Sequence, residues 1–419
     1  MNKLETIVLE NGLIVYLYQD SRRHSTFFQF ITRFGGVHKD FHFKGKDYHM
    51  QDGVAHILEH YLAEYSDSGN FLEELGKKQM NTNASTHYQM TRFYFDAVEN
   101  VTFGIKTLLN GLYHVSFQEE SLEKIKMPIY QEIRAKSDSR FYHSNILSLQ
   151  NLFHNISFRS IGGSLDDVKQ TTVDDLKLCY EAFYQPKNQF IVIAGNFDKK
   201  EVMQVIQDFY KDIFTSYHEV KLLDYHEPVN VCKVEDTLEF RTPLDYVEFS
   251  FKIDIHNLSS EERLNLNFYL GCFYNQFFGP TSALYKELTD KKVISSGIGV
   301  SDTTIDNYLI INIGAYTYSK EIFQKKVLNT IRSLSCFSEE LFSLDQKSAI
   351  VRLILRDENI INMILPFVEN IITYDYPYLD SVQDIKKLNY HDFKNTIQNI
   401  DFSNYVIIYI HESKKELLS

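Results

Sequence analysis

The sequence predicts an α+β protein built from two similar halves, each a mostly antiparallel sheet packed with helices. Two observations carry this. Short apolar runs such as 26–34 and 189–195 are interleaved with segments whose apolar residues recur every three to four positions, such as 53–66 and 98–115. The order is also met twice. VDDLKLCYEAFYQPKNQFIVIAGNFDKK (173–200) and YHDFKNTIQNIDFSNYVIIYIHESKK (390–415) share one pattern: helix, short connection, buried strand, charged turn. Self-similarity on this scale points to an internal duplication of about 200 residues. Two unrelated α+β domains are the alternative.

The elements follow in order. Residues 4–18 alternate around Asn11-Gly12, a hairpin signal. A strand at 26–34 ends at Gly35-Gly36, and a loop rich in His, Lys and Asp runs to about 52. Residues 53–66 have helical spacing, with Val54, Ile57, Leu58, Leu62 and Ala63 apolar, and 70–76 form a second short helix. Residues 81–95 end in the strand-like TRFYFDAV, and 98–115 and 118–137 read as helices. A helix from 171 ends before Pro186, a strand covers 189–195, and 198–212 is helical. The weakly periodic stretch around 214–240 reads as a linker. Strands at 244–254, 294–301 and 307–314 and helices at 261–277 and 281–290 open the second half. The domains expected are therefore 1–215, a linker 216–240, and 241–419.

The chain's 419 residues suit two or three domains. With 17 Gly and 7 Pro, collagen-like and Pro/Gly-rich disordered classes are excluded. A net charge of −13 disfavours nucleic acid and anionic membranes as partners. Glu5 and Glu10 interrupt any secretory apolar region, and no uncharged apolar run is long enough to span a bilayer. Cys179, Cys232, Cys272 and Cys336 form no CxxC pair, which suits a reducing compartment and argues against a cysteine zinc site. A cytoplasmic location is expected.

The chemistry concentrates in His56-Ile57-Leu58-Glu59-His60. Residues i and i+4 of a helix share a face, so both imidazoles can reach one tetrahedral zinc. Glu59 sits beside them, where a general base belongs. With 15 His in the chain, such a pattern arises by chance roughly one time in thirty, so a solvated helix face is the competing reading on spacing alone. The order H-x-x-E-H is the inverse of H-E-x-x-H and marks inverzincins.

The surrounding DGVAHILEHYLAEYSDSGNFLEELGKKQMNTNASTHYQMTRFYF resembles the M16 inverzincin peptidases typified by pitrilysin, insulin-degrading enzyme and the mitochondrial processing peptidase. The matching features are Gly53, Ala55, HILEH, Gly76, Asn83-Ala84, and Thr91 with Tyr94; LENGLIVYL resembles the family's first strand. The likeness is good over about 4–215 and weaker beyond.

The resemblance implies a zinc endopeptidase whose two halves make one side of a clamshell around a peptide. It implies one Zn2+ per chain, with His56 and His60 as ligands and Glu132, in SLEKIKMPIYQEIRAKSDSRFY, as the third. The rivals Glu119, Glu120 and Glu123 fall where acids are ordinary helix N-terminal residues. Zinc would polarise a water and the scissile carbonyl, and Glu59 would carry the water's proton to the leaving amine. Asn83 and Ala84 would bind substrate on an edge strand; closing the sheet is the plainer role for that strand. Two departures fall on the third ligand's helix. Many members carry a supporting Glu where this chain has Ile125, and Pro128 removes a backbone donor. His87, beside the strand, is a polar strand residue or a fourth ligand.

The family's second half usually supplies an Arg and a Tyr; in GPTSALYKELTDKKVISSGIG those positions read Ala283 and Ser296. The chain therefore resembles the zinc-bearing member of a Gram-positive-type pair, completed by a homologous subunit that lacks HxxEH and supplies Arg and Tyr. Some such pairs process bacteriocin-type precursor peptides. A non-catalytic assembly or peptide-binding subunit is the other reading.

Overall fold

The computed structural model describes residues 4–67, 69–154, 161–211, 213, 217–223, 226–242, 244–335 and 337–412. Cys336 and the last residues of the C-terminal repeat pattern lie outside them. The chain divides into two units. The first contains Met1–Lys136, Arg159–Asp224 and Asn359–Val368; the second contains Ser137–Phe158, Tyr225–Glu358 and Glu369–Ser419.

In chain order the elements begin with strands β1 (Leu4–Val8), β2 (Ile14–Gln19) and β3 (Thr26–Thr32), then the hairpin β4 (Asp40–Phe43) and β5 (Lys46–His49). Helices α1 (Val54–Glu64) and α2 (Phe71–Lys77) precede β6 (Asn81–Thr86) and β7 (Thr91–Ala97). Helices α3 (Val101–Tyr113), α4 (Glu119–Ser137), α5 (Arg140–Leu152), α6 (Leu165–Gln170) and α7 (Val173–Phe183) follow. Next come β8 (Gln189–Gly195), α8 (Lys199–Lys211), β9 (Val220–Leu222), β10 (Glu235–Phe240) and β11 (Tyr246–Asp254). The rest are α9 (Ser260–Phe277), α10 (Ala283–Asp290), β12 (Gly299–Ile305), β13 (Tyr308–Tyr316), α11 (Lys320–Ser333), α12 (Glu339–Asp357), α13 (Ile360–Tyr374), α14 (Val382–Lys387), α15 (Tyr390–Gln398) and β14 (Tyr405–Glu412).

The main sheet of the first unit has the order β1-β2-β8-β3-β7-β6, and that of the second β10-β14-β11-β13-β12. The first strand of the shared set pairs parallel with the last strand of its unit, β2 with β8 and β10 with β14. Every other pairing is antiparallel. Five strands thus recur with one order and one set of directions, which is the duplication in topological form. The fold is α+β, as the sequence pattern implies.

Each sheet has its own core. Phe28, Phe30, Phe93 and Phe95 meet Leu58, Leu62, Leu108 and Leu112 in one; Phe249, Phe251, Ile311 and Ile313 meet Leu270, Phe273 and Phe277 in the other. Three local features differ from the sequence reading. The loop before α1 holds the β4–β5 hairpin, joined by β9 from the expected linker. The same linker supplies β10, an edge strand of the second sheet. The first half is also not continuous, because Ser137–Phe158 clusters with the second unit. Polar contacts between α5 and β11 explain that placement: Ser144 and Ser148 donate to Glu248 at 2.5 and 3.3 Å, and Tyr246 donates to the same carboxylate at 3.0 Å.

A buried ion pair ties the same segment down. Lys252 is 1% exposed, and its Nζ donates to Glu227 at 2.6 Å and to the carbonyls of Leu152 and Pro228 at 3.1 and 2.7 Å. Removing one partner of a buried pair strands the other charge and costs about 3–5 kcal/mol. Glu227→Ala is expected to destabilise the second unit by that amount, measured by urea unfolding.

Candidate metal centre

Helix α1 forms because Val54, Ile57, Leu58, Tyr61 and Leu62 bury one face against the sheet, leaving His56, His60 and Glu64 on the half-exposed stripe at i, i+4 and i+8. The helix starts at Gly53, whose φ of 85° favours glycine; a Cβ there would lie 2.5 Å from the backbone of Gly162. Helix α4 turns Leu122, Ile125, Ile129 and Ile133 into the core, so Glu132 falls on the neighbouring side and its side chain stays 41% exposed. Ile125 is fully buried, and the helix runs through Pro128 without a break.

These two helices bring three of the expected residues together. Ligand-type atoms of His56, His60 and Glu132 all lie within 4.8 Å of one another, the sole such cluster among the described residues. His56 Nε2 is 3.3 Å from Glu132 Oε2, and His60 Nε2 is 3.6 Å from Oε1. The imidazoles stand nearly perpendicular, with centroids 4.7 Å apart. His56 Nε2 is buried and makes no aligned hydrogen bond. Two imidazole nitrogens, one of them buried and unsatisfied, and one carboxylate form a donor set that fits zinc with a position left open.

Glu59 is 6% exposed. Its Oε2 accepts from the Thr86 hydroxyl at 2.6 Å and lies 3.4 Å from His56 Nδ1. Thr86 closes β6, and Thr91 opposite it donates to the Phe34 carbonyl at 2.8 Å. Asn83 and Ala84 sit on the same strand, which ends the sheet order and, among the described residues, pairs with β7 alone; Asn83 Oδ1 accepts from the Ala84 N–H at 2.9 Å. His87 stands apart from the three-residue cluster, with Nε2 3.3 Å from Ser85 Oγ. Glu120 and Glu123 pair with Lys124 and Lys126 instead. In the second unit Ala283 and Ser296 are exposed.

Sequence reasoning missed Thr86, Glu64 and Lys136. Glu64 Oε1 is 3.5 Å from His60 Nδ1, and Lys136 Nζ is 3.5 Å from Glu132. Both lie one helical turn from a candidate ligand, so spacing could have found them. Thr86 needed the register of β6 against α1, which the sequence does not display.

The duplicated sheet with an H-x-x-E-H helix in one copy defines an inverzincin-type chain. Comparison with known families gives Insulinase (Peptidase family M16) over residues 46–160 and the M16 inactive domain over 170–344. The chain belongs to peptidase family M16. A Bacillus subtilis (strain 168) protein named zinc protease YmfH is 26% identical over 404 residues, 93% of this chain and 92% of its own. In the same strain, YmfF, named as an inactive metalloprotease, is 25% identical over 97 residues, 23% of each chain. The crystal structure of an M16-like peptidase from Alicyclobacillus acidocaldarius matches with a TM-score of 0.89 and 23% identity, over 98% of this chain and 99% of that one.

The electrostatics predict a pH effect. Burial alone would lower the His56 imidazole, but Glu132 and Glu59 outweigh it and raise it to about 9. A neighbouring His56, against partial burial, holds Glu132 down at about 2. A histidine raised from its ordinary 6.5 contributes stability that is complete below that value and is lost as pH climbs through the folded one. Chelator-treated protein should therefore lose stability, on the order of 3 kcal/mol, from about pH 6.5 to about 9. Thermal unfolding against pH checks this, and Glu132→Gln should flatten the slope.

Proposed function

We propose that this chain is the zinc-bearing subunit of an endopeptidase that cleaves peptides or unfolded segments, short precursor peptides among them. The observation that carries the reading is the convergence of His56, His60 and Glu132 beside a buried carboxylate, Glu59, that is not part of the ligand cluster. Relatives named zinc protease support the metal and the reaction class.

Bound by those three side chains, zinc would supply Lewis acidity toward a water and a peptide carbonyl. The rest falls to residues of the chain. Thr86 fixes Oε2 of Glu59, leaving Oε1 to take a proton from the attacking water and return it to the amine nitrogen as the C–N bond breaks. The open edge of β6, with Asn83 and Ala84, offers backbone groups to an extended peptide. Ala283 and Ser296 cannot donate to the substrate as Arg and Tyr would, so a homologous partner without HxxEH completes the site. A Bacillus relative named as inactive fits that kind of partner. Three described cysteines stand free, which suits the cytoplasm. Among the described residues no helix is long and apolar enough to cross a membrane. A peptide-binding subunit without catalysis is the second reading, favoured by the missing donors.

Two experiments test this. Glu59→Gln should keep its zinc and lose at least about 100-fold in cleavage of an unfolded protein such as casein by the chain with its partner; retained cleavage would remove Glu59 as the base. Native mass spectrometry of the chain purified with its genomic neighbour should show a one-to-one heterodimer. A fully active homodimer would exclude the partner.

A further inference from the structure

The zinc reading leaves unexplained how the imidazoles are held with the correct nitrogen forward. A histidine ligand works through one ring nitrogen, and the proton on the other must be anchored or the ring can flip or carry the wrong tautomer. In α1 both rings turn Nε2 toward Glu132, at 3.3 Å for His56 and 3.6 Å for His60. Both also place Nδ1 near a carboxylate of the same helix. His56 Nδ1 is 3.4 Å from Glu59, three residues on, and His60 Nδ1 is 3.5 Å from Glu64, four residues on. Glu59 therefore backs one ring and Glu64 the other.

We propose that Glu64 is the positioning residue for His60: it accepts the Nδ1–H, fixes the tautomer with a bare Nε2, and adds negative charge behind the metal. The inference rests on the zinc reading of His56, His60 and Glu132. Several features set Glu64 apart from an ordinary helical ion pair. Its nearest ring is a candidate ligand, not a surface cation. The His60 side chain is 18% exposed and that of Glu64 38%, so the contact is partly shielded from water. On the carboxylate side, Lys136 Nζ lies 3.5 Å from Glu132, so that candidate ligand also has a charged neighbour one turn along its own helix.

The test uses the full chain stripped with a chelator, with zinc affinity read by competition against a chelator of known affinity. Glu64→Ala should weaken zinc about 10–100-fold. Glu64→Gln, which keeps an acceptor at Nδ1 but not the charge, should fall between Ala and the parent. Glu120→Ala is the control: it breaks an equally spaced pair with Lys124, 2.7 Å apart on the surface of α4, and should leave affinity within about twofold. The metal-free unfolding temperature should be unchanged in all three, which separates positioning from folding. A Glu64→Ala chain that binds zinc as tightly as the parent would overturn the proposal. So would a Glu64→Gln chain as weak as Glu64→Ala, because charge alone would then account for the effect. A parent chain that takes up no zinc would overturn the metal reading itself.

Discussion

Three polar side chains converge within 4.8 Å of one another in the first unit, and burying them partly dehydrates groups that water would otherwise solvate. His56, His60 and Glu132 come from two helices, with His60 and Glu132 some 70 residues apart in the chain. Neither helix could hold them there alone. An isolated helix as short as α1 is marginal in water, and both helices are positioned by the faces they bury: Ile57, Leu58 and Leu62 on α1, and Leu122, Ile125 and Ile129 on α4. The departure at Ile125 takes its meaning from this. Where relatives are expected to carry a supporting acid, this chain has a fully buried aliphatic side chain that anchors the helix bearing Glu132 in the first core.

Glu59 shows the same economy in one residue. It is buried among helix and strand, yet one oxygen is satisfied by Thr86 at the end of β6. The strand that would receive a peptide also orients the candidate base. In the proposed reaction both would be referenced to a single element, which pairs with β7. The second unit repeats that sheet but not the chemistry. Its equivalent helix α9 carries no histidine, and its polar buried groups, Lys252 with Glu227 and Glu248 with Ser144, are consumed in holding the fold.

Much of this was legible in the sequence. The helix bearing HILEH, the strand at 189–195 and the helix bearing Glu132 follow from periodicity that a large core enforces. The β4–β5 hairpin was not legible, because its four-residue strands are half exposed and carry as many charges as a loop. Nor was β10, whose alternation in EDTLEF is broken by Asp236, an acid on the half-buried face beside Leu238 and Phe240. Of the site, the two histidines and Glu59 are visible as one local motif, whereas Glu132 needed a family resemblance to single it out among several acids. Thr86 is set by how a strand end lies against a helix, and no local pattern in NTNAST encodes that.

The metal centre is tested most directly by the zinc content of the purified chain, by elemental analysis, beside that of Glu132→Gln. The parent chain should hold about one zinc and the variant much less, with both remaining folded. A well-folded parent without zinc, or a Glu132→Gln chain that holds zinc as fully as the parent, would contradict it.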